Sequence, residues 1–356
     1  MPQYRATVAS PLSHPLVFGI ETSCDDTACA LVDGEGRVLA SVVSSQLAAH
    51  GPFGGVVPEI ASREHLRNWP AVRDEALARS GFAIADLDAV AATRGPGLVG
   101  ALLVGLSLGR AIAWSRGLGF HAVHHLEGHL YSPFLRAPGE PAEEIPERFV
   151  GLVVSGGHTS LFDVEGGEVS TLAETRDDAI GEAFDKLGKR LGLPYPQGPH
   201  VDRLADLGEA ARCPLPIPSY AGELYFSYSG LKTQALAELE RRGFEPSAVG
   251  DFPQPVLDVI AGFRAAAVGQ LVDRLGRLHR RRPIPLLAVS GGVAANRLLR
   301  RELERWADAE DIALRLVPLA YAGDNAAMIA HAALRRERLG RRDDPRHAAA
   351  ESRIPI

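Results

Sequence analysis

The sequence predicts an α/β protein built from two similar halves, and three observations carry that reading. Short strands punctuated by turn residues precede a long stretch of helical periodicity near the start of the chain, and the same order restarts past residue 148. At 356 residues the chain also exceeds the size that one hydrophobic core usually serves, while its 46% hydrophobic content is ordinary for a globular protein.

Each element has its own warrant. Val17 to Glu21, Thr27 to Val32 and Val38 to Ser44 read as strands, with Asp33-Gly34-Glu35-Gly36 as the turn between the last two. From Pro58 to Ser80, Ile60, His65, Leu66, Trp69, Val72 and Ala76 recur at threes and fours, which predicts a helix. Ala89 to Thr93 is a short strand; the turn Gly95-Pro96-Gly97 follows, then a helix over Leu98 to Arg116. Three strands, helix, strand, helix is the order of a ribonuclease H-like domain.

The second half repeats it. Phe149 to Val154 and Thr159 to Val164 flank Ser155-Gly156-Gly157-His158, and Glu168 to Ala173 adds a third strand. Helices are predicted at Asp178 to Leu191 and Val256 to His279, a strand at Leu286 to Val289, and a helix from Ala294 to Arg305. The Pro- and Glu-rich stretch Pro138 to Pro146 is the natural linker, and Pro194 to Pro218 reads as irregular. The expected organisation is a flexible N-terminal extension (1–15), a first domain (16–135) completed by 318–345, a linker (136–147), a second domain (148–317) and a C-terminal tail (346–356).

Composition narrows the function classes. Cys24, Cys29 and Cys213 form no CxxC pair and no even-numbered framework, so no disulfide is expected, as suits a cytoplasmic protein. The first eighteen residues hold no apolar block of signal-peptide length. The most apolar stretch, Leu98 to Trp114, is broken by Gly100, Gly105 and Gly109 and carries Arg110, so it fits a buried helix better than a membrane span. A formal charge of -6 argues against gripping nucleic acid over the whole surface. Basic residues cluster only at Arg274 to Arg282, Arg297 to Arg305 and Arg335 to Arg342.

Four strings carry chemistry. In His124-His125-Leu126-Glu127-Gly128-His129, a helix starting near His125 sets His125 and His129 one turn apart, the spacing for two imidazoles to share a metal. Histidines hydrogen-bonded locally at a helix start are the plain alternative, and a metalloprotease is another. Glu127 argues against the latter, since it lies about 200° round the helix from each histidine. Two ligands leave a metal under-coordinated; Asp324, before Asn325 and a helical run to Leu334, is the leading third, unless it serves only as that helix's N-cap.

The second signal is a pair of Ser-Gly-Gly turns, at Val154 to Thr159 and Val289 to Asn296, each following a strand. Such turns let backbone N–H groups approach a phosphate, though a lone one is more often only a turn. Asn296 opens the following helix and is a candidate for a base or ribose contact, or for the cap alone. Third, Asp185 and Asp202 are candidate acceptors for ribose hydroxyls with Gly198 allowing close approach, against an everyday Glu182–Lys186 helix pair and an ordinary cap at Asp202. Fourth, Gly19 to Thr27 turns through Glu21-Thr22-Ser23-Cys24-Asp25-Asp26, the type of hairpin that two-domain actin-like ATPases place against nucleotide phosphates. Cys24 has no evident base nearby and reads as a turn residue rather than a nucleophile.

Together these strings resemble the TsaD family, once named for a sialoglycoprotein endopeptidase activity. The resemblance runs from Gly19 to about Leu334 through eight ordered motifs, at 19 to 27, 95 to 98, 124 to 129, 154 to 159, 182 to 186, 227 to 233, 290 to 296 and 324 to 330. It implies two ribonuclease H-like domains of the actin-like ATPase (ASKHA) fold. It further implies that His125, His129 and Asp324 hold one divalent metal, iron(II) before zinc, and that Val153, Val154, Ser155, Gly156, Gly157, Asp185, Gly198, Asp202 and Asn296 line a nucleotide-type substrate.

The implied reaction moves a threonylcarbamoyl group from threonylcarbamoyl-AMP to N6 of the adenosine beside the anticodon, position 37, in tRNAs reading codons that begin with adenine. Implied partners are tRNA, the pseudo-enzyme paralogue TsaB, the P-loop ATPase TsaE and a separate synthase, with no membrane. Gly323 stands where the family commonly has Thr, Tyr228 replaces a Phe, and the N-terminal extension is unusual. No general base is evident; His158 and His124 are candidates by position only. An ATPase or kinase of the same fold would need the glycine turns but not the histidine pair, and a non-catalytic tRNA-binding scaffold would have no use for a nucleotide pocket.

Overall fold

A computed structural model describes residues 15–137, 140–141, 144–218, 222–245 and 252–356. Most of the expected extension therefore lies outside the described residues, as does part of the expected linker. The chain divides into two compact units: one runs to Ile145 and resumes over Val317–Ile356, and the other is Pro146–Leu316.

The first unit begins with β1 (Val17–Glu21), β2 (Asp26–Val32) and β3 (Val38–Ser45), followed by α1 (Leu47–His50) and α2 (Pro58–Ser80). Then come β4 (Ala89–Gly95), α3 (Val99–Arg116), β5 (Gly119–His124) and α4 (His125–Tyr131). The sheet order is β3-β2-β1-β4-β5; the meander is antiparallel, and β1, β4 and β5 run parallel. The second unit has β6 (Arg148–Val154), β7 (Thr159–Glu165), β8 (Glu168–Glu174), α5 (Ile180–Arg190), α6 (Gly198–Ala205), α7 (Ser229–Arg241), α8 (Gln254–Arg281), β9 (Leu286–Ser290), α9 (Arg297–Ala309) and β10 (Ala313–Leu316). Its sheet, β10-β9-β6-β7-β8, has the same topology, antiparallel through the meander and parallel across β6, β9 and β10. The chain then returns to the first unit with α10 (Ala326–Arg338). The duplication read from element order is thus present in the strand pairing.

Strand periodicity decides which residues meet the functional region. Side chains alternate across a sheet, so Phe18 and Ile20 point into a core with Trp69, Val72, Leu106 and Phe120, where Phe18 and Trp69 meet edge to face at 6.3 Å. Fully burying such a side chain contributes about 1.5–3 kcal/mol. Gly19 and Glu21 fall on the opposite side. A Cβ on Gly19 would stand 2.3 Å from the Ala326 carbonyl oxygen, so only glycine lets α10 lie this close to β1.

Several elements differ from the expectation. Leu66, one of the residues whose recurrence predicts α2, is 60% exposed, so it lies off the helix's buried face. The stretch from Pro194 to Pro218 contains α6, whose Pro199 occupies its first turn, a position helices tolerate. α7 and β10 add to the expected elements. The helix expected from Ala294 is a short 3-10 turn, Gly292–Ala295, and α9 starts only after Asn296, whose side chain accepts from the Leu299 amide at 2.9 Å. α3 is not wholly buried, because Val99, Leu103 and Trp114 lie on an exposed face. Among the described helices α8 alone is long and apolar enough to cross a membrane, and it is mostly buried within its own unit.

One buried charge cluster ties α10 to the sheet. The Glu337 carboxylate, 2% exposed, meets His121 Nε2 at 2.8 Å and accepts from Arg342 Nε at 2.9 Å. Burial pushes its pKa up, but His121 and Arg342 outweigh that and hold it at about 2, below the ordinary 4.5. A depressed carboxylate pKa stabilises the fold above the unfolded-state value, and that contribution fades as pH falls from about 4.5 towards 2. Glu337→Gln is therefore expected to cost about 1–3 kcal/mol at neutral pH and to flatten the acid limb of a melting-temperature profile. A variant whose acid limb matches the wild type would contradict this.

Candidate functional site

In the first unit α4 begins at His125. His124 caps it, its Nδ1 accepting from the Leu126 amide at 3.1 Å. His125 and His129 therefore stand one turn apart, their rings nearly perpendicular at 4.8 Å between centroids. Both are buried. Asp324 reaches them from the turn before α10, with Oδ1 at 3.5 Å from His125 Nε2 and 3.2 Å from His129 Nε2. It is not the cap of α10: Asn325 takes that role, its Oδ1 accepting from Met328 N at 2.9 Å. Asp324 Oδ1 faces both histidines instead.

The three side chains suit a metal ion. Their ligand atoms lie within 4.8 Å of one another. Atoms bound at about 2.1 Å in a tetrahedral site stand about 3.4 Å apart, close to the two distances above. Neither ring nitrogen of His129 has a hydrogen-bond partner among the described residues, although Asp324 is near Nε2. An unpaired buried polar atom costs about 1–3 kcal/mol, which coordination at Nε2 would offset. Burial lowers the His129 pKa, leaving the ring neutral with a lone pair to offer, whereas for His125 burial is outweighed by the Asp324 and Glu21 carboxylates, which raise it to about 9.

Three further partners surround His125: Glu21 and Ser23 come from the hairpin string Gly19 to Thr27, and Thr93 lies outside every motif. Glu21 Oε2 stands 3.1 Å from His125 Nδ1 and accepts from Thr93 Oγ1 at 2.6 Å, while Oε1 accepts from the Ser23 amide. Ser23 Oγ lies 3.2 Å from the same Nδ1. Burial alone would raise the Glu21 pKa, but His125 and Thr93 bring it below the usual value. The signal in the sequence is a carboxylate closing the apolar strand Val17–Glu21, a residue type rarely buried without partners.

His124 loses its candidate role as a general base. The His124 ring is committed at both nitrogens, with Nε2 3.1 Å from the Ile354 carbonyl oxygen, and burial pushes its pKa down to about 4, so it is a poor general base. Burial, Asp25 and Asp324 all raise the Cys24 thiol pKa, which rules against a thiolate nucleophile at neutral pH. Glu127 sits among Arg336, Asp343 and Arg335, away from the metal-type cluster.

The second unit holds the glycine turns. β6 and β9 are parallel neighbours, with Val153 paired to Ser290, so both Ser-Gly-Gly turns stand side by side at the carboxyl ends of adjacent strands, where open α/β sheets bind ligands. Gly291 has φ +91°, and a Cβ there would stand 2.3 Å from the Val154 carbonyl oxygen, so this glycine serves the packing of the two turns. Gly156 and Gly157 are exposed, with open space for 4 Å around the position a Cβ would take, and their amides donate no hydrogen bond among the described residues. The turn is pinned around them: Ser155 N donates to His158 O at 2.9 Å, His158 N to Ser155 Oγ at 3.1 Å, and Gly181 N to Ser155 O at 3.3 Å.

The remaining candidates form a chain of contacts. Asp185 Oδ1 accepts from Gly198 N at 2.7 Å, which starts α6, and four residues on Asp202 Oδ1 accepts from Arg264 Nη1 at 2.9 Å and Asn296 Nδ2 at 2.6 Å. Asn296 thus caps α9 and fixes Asp202 at once. At Gly198 a Cβ would make only ordinary contact, 3.4 Å from Asp185 Oδ1. Of the basic clusters, Arg274 is wholly buried on the Tyr225 and Pro218 carbonyls, and Arg336, Arg338 and Arg342 bond within the first unit. Arg297, Arg301 and Arg305 on α9 are 65–78% exposed, each beside a carboxylate.

Solved structures share this architecture. HypF from T. kodakarensis superposes with a TM-score of 0.60 at 14% identity over 93% of this chain and 48% of that one. Component A of (R)-2-hydroxyglutaryl-CoA dehydratase from Acidaminococcus fermentans gives 0.52 at 13% identity over 92% and 99%. At such identities they show the fold alone, that of the actin-like ATPases.

Sequence relatives are far closer. Proteins named tRNA N6-adenosine threonylcarbamoyltransferase are 50% identical in Pelobacter propionicus, over 88% of this chain and 90% of the relative, and 45% identical in Sorangium cellulosum, over 92% and 93%. Another from Rhizobium meliloti is 46% identical over 96% and 95%. The model of the TsaD family, described as tRNA N6-adenosine threonylcarbamoyltransferase, matches residues 37–331, and this chain belongs to that family.

Proposed function

We infer that this chain transfers the threonylcarbamoyl group of threonylcarbamoyl-AMP to N6 of the adenosine beside the anticodon of tRNA. The observation that carries the reading is the His125–His129–Asp324 cluster, because the fold alone is shared with enzymes that act on other substrates. N6 attacks the carbamoyl carbonyl carbon, the bond from that carbon to the phosphate oxygen breaks, AMP leaves, and the N6 proton passes to a base. The free amides of Gly156 and Gly157 would bind the phosphate as its charge develops, while Asp185, Asp202 and Asn296 set the far side of the nucleotide. His125, His129 and Asp324 would hold the ion. Two imidazoles and one carboxylate suit iron(II) or catalytic zinc, with iron(II) favoured, and such an ion supplies Lewis acidity to the carbonyl when bound.

With a net charge of -6, and with Arg297, Arg301 and Arg305 each beside an acid, the chain has little general attraction for tRNA phosphates. TsaB, TsaE and the synthase that makes the anhydride would supply the missing surface and substrate, with the exposed Val99, Leu103 and Trp114 face of α3 as the docking face for the paralogue. Given only tRNA and the anhydride, the isolated chain is expected to turn over at least about tenfold more slowly than the full mixture, measured by nucleoside analysis of the digested tRNA. Equal repeated turnover by the chain alone would contradict the partner requirement.

A further inference from the structure

We propose that Glu21 is the positioning residue of the metal centre: it fixes the ring of His125 so that Nε2 faces Asp324, and thereby sets metal affinity. The inference rests on the reading of His125, His129 and Asp324 as metal ligands. Glu21 is wholly buried, and Thr93 and Ser23 beside it are nearly so. A carboxylate in such a place needs donors, and three converge on it: the Ser23 amide, the Thr93 hydroxyl at 2.6 Å and His125 Nδ1 at 3.1 Å. They come from the turn after β1, from β4 and from the first residue of α4, so the carboxylate at the end of β1 ties that strand to β4 and α4.

This arrangement decides the tautomer. Glu21 can only accept, so Nδ1 keeps its proton, and Nε2, facing Asp324 Oδ1 3.5 Å away, is the nitrogen that gives up its proton and offers a lone pair when a metal binds. A carboxylate behind a ligating imidazole also strengthens its donation, and loss of such a partner typically costs 10–100-fold in metal affinity. His129 has no equivalent, since its Nδ1 lacks a partner among the described residues. Orientation of the pair therefore depends on the His125 side. β1 alternation makes the placement obligatory: Ile20 enters the opposite core, and Glu21 is the strand's last residue on the α10 side.

The test is metal affinity in the purified full chain, measured by chelator competition with zinc(II), together with the visible absorption spectrum of the cobalt(II)-loaded protein. Glu21→Ala is expected to weaken zinc about 10–100-fold and to alter the cobalt bands, and Glu21→Gln, which keeps an acceptor, to recover part of the loss. Thr93→Val, which removes one donor to Glu21 but no contact to the ligands, should weaken zinc by a few-fold, roughly the low end of that range, and carries the test if the alanine variant does not fold. A folded Glu21→Ala or Thr93→Val protein with wild-type affinity and an unchanged cobalt spectrum would overturn the proposal alone. A wild-type chain that takes up no stoichiometric metal would overturn the metal reading and this proposal with it.

Discussion

His129→Ala is expected to abolish stoichiometric metal binding and to lower threonylcarbamoyl transfer by at least about a hundredfold, the scale on which Lewis-acid stabilisation of a transition state acts. The fold should survive. Truncation removes packing and the Asp324 Oδ1 contact at 3.2 Å, but Asp324 keeps His125 Nε2 at 3.5 Å, so the cost is about 2–4 kcal/mol against a typical domain stability of about 5–15 kcal/mol. Elemental analysis of the purified variant, with circular dichroism to verify folding, checks both parts. Full metal occupancy in folded His129→Ala would contradict the ligand assignment.

Gly157→Val should act on the other unit and on the other substrate feature. The glycine is exposed and a Cβ meets nothing within 4 Å, so the substitution is expected to change stability by less than about 1 kcal/mol. Two added methyl groups would instead occupy the space a phosphate needs to reach the Gly156 and Gly157 amides. AMP affinity in calorimetry is expected to fall at least about tenfold, the loss of roughly one charge-assisted hydrogen bond, while metal content stays at the wild-type level. Unchanged AMP affinity would mean that this turn only joins β6 to β7.

Local signals made much of this molecule legible. The meanders announced themselves by alternation and turn residues, and the i,i+4 histidines needed only the start of α4 at His125 to share one face. What stayed hidden depended on long-range packing. Asp324 and Asn325 are equally good caps by residue type, and only the geometry of α10 assigns the cap to Asn325 and turns Asp324 towards the histidines. Glu21 reads as part of a hairpin string, but its contacts with Thr93 and His125 span 72 and 104 residues of sequence. α6 is masked by the prolines around it, and Arg274 looks like part of a basic patch until α8 is seen to bury it.

Transfer of isotope from labelled threonylcarbamoyl-AMP to tRNA, in the full mixture with metal-stripped and metal-reloaded chain, tests the central claim most directly. Label should appear on the adenosine beside the anticodon with the reloaded chain, and fall to background with the stripped chain. Equal labelling by both, or no labelling by either, would contradict the account.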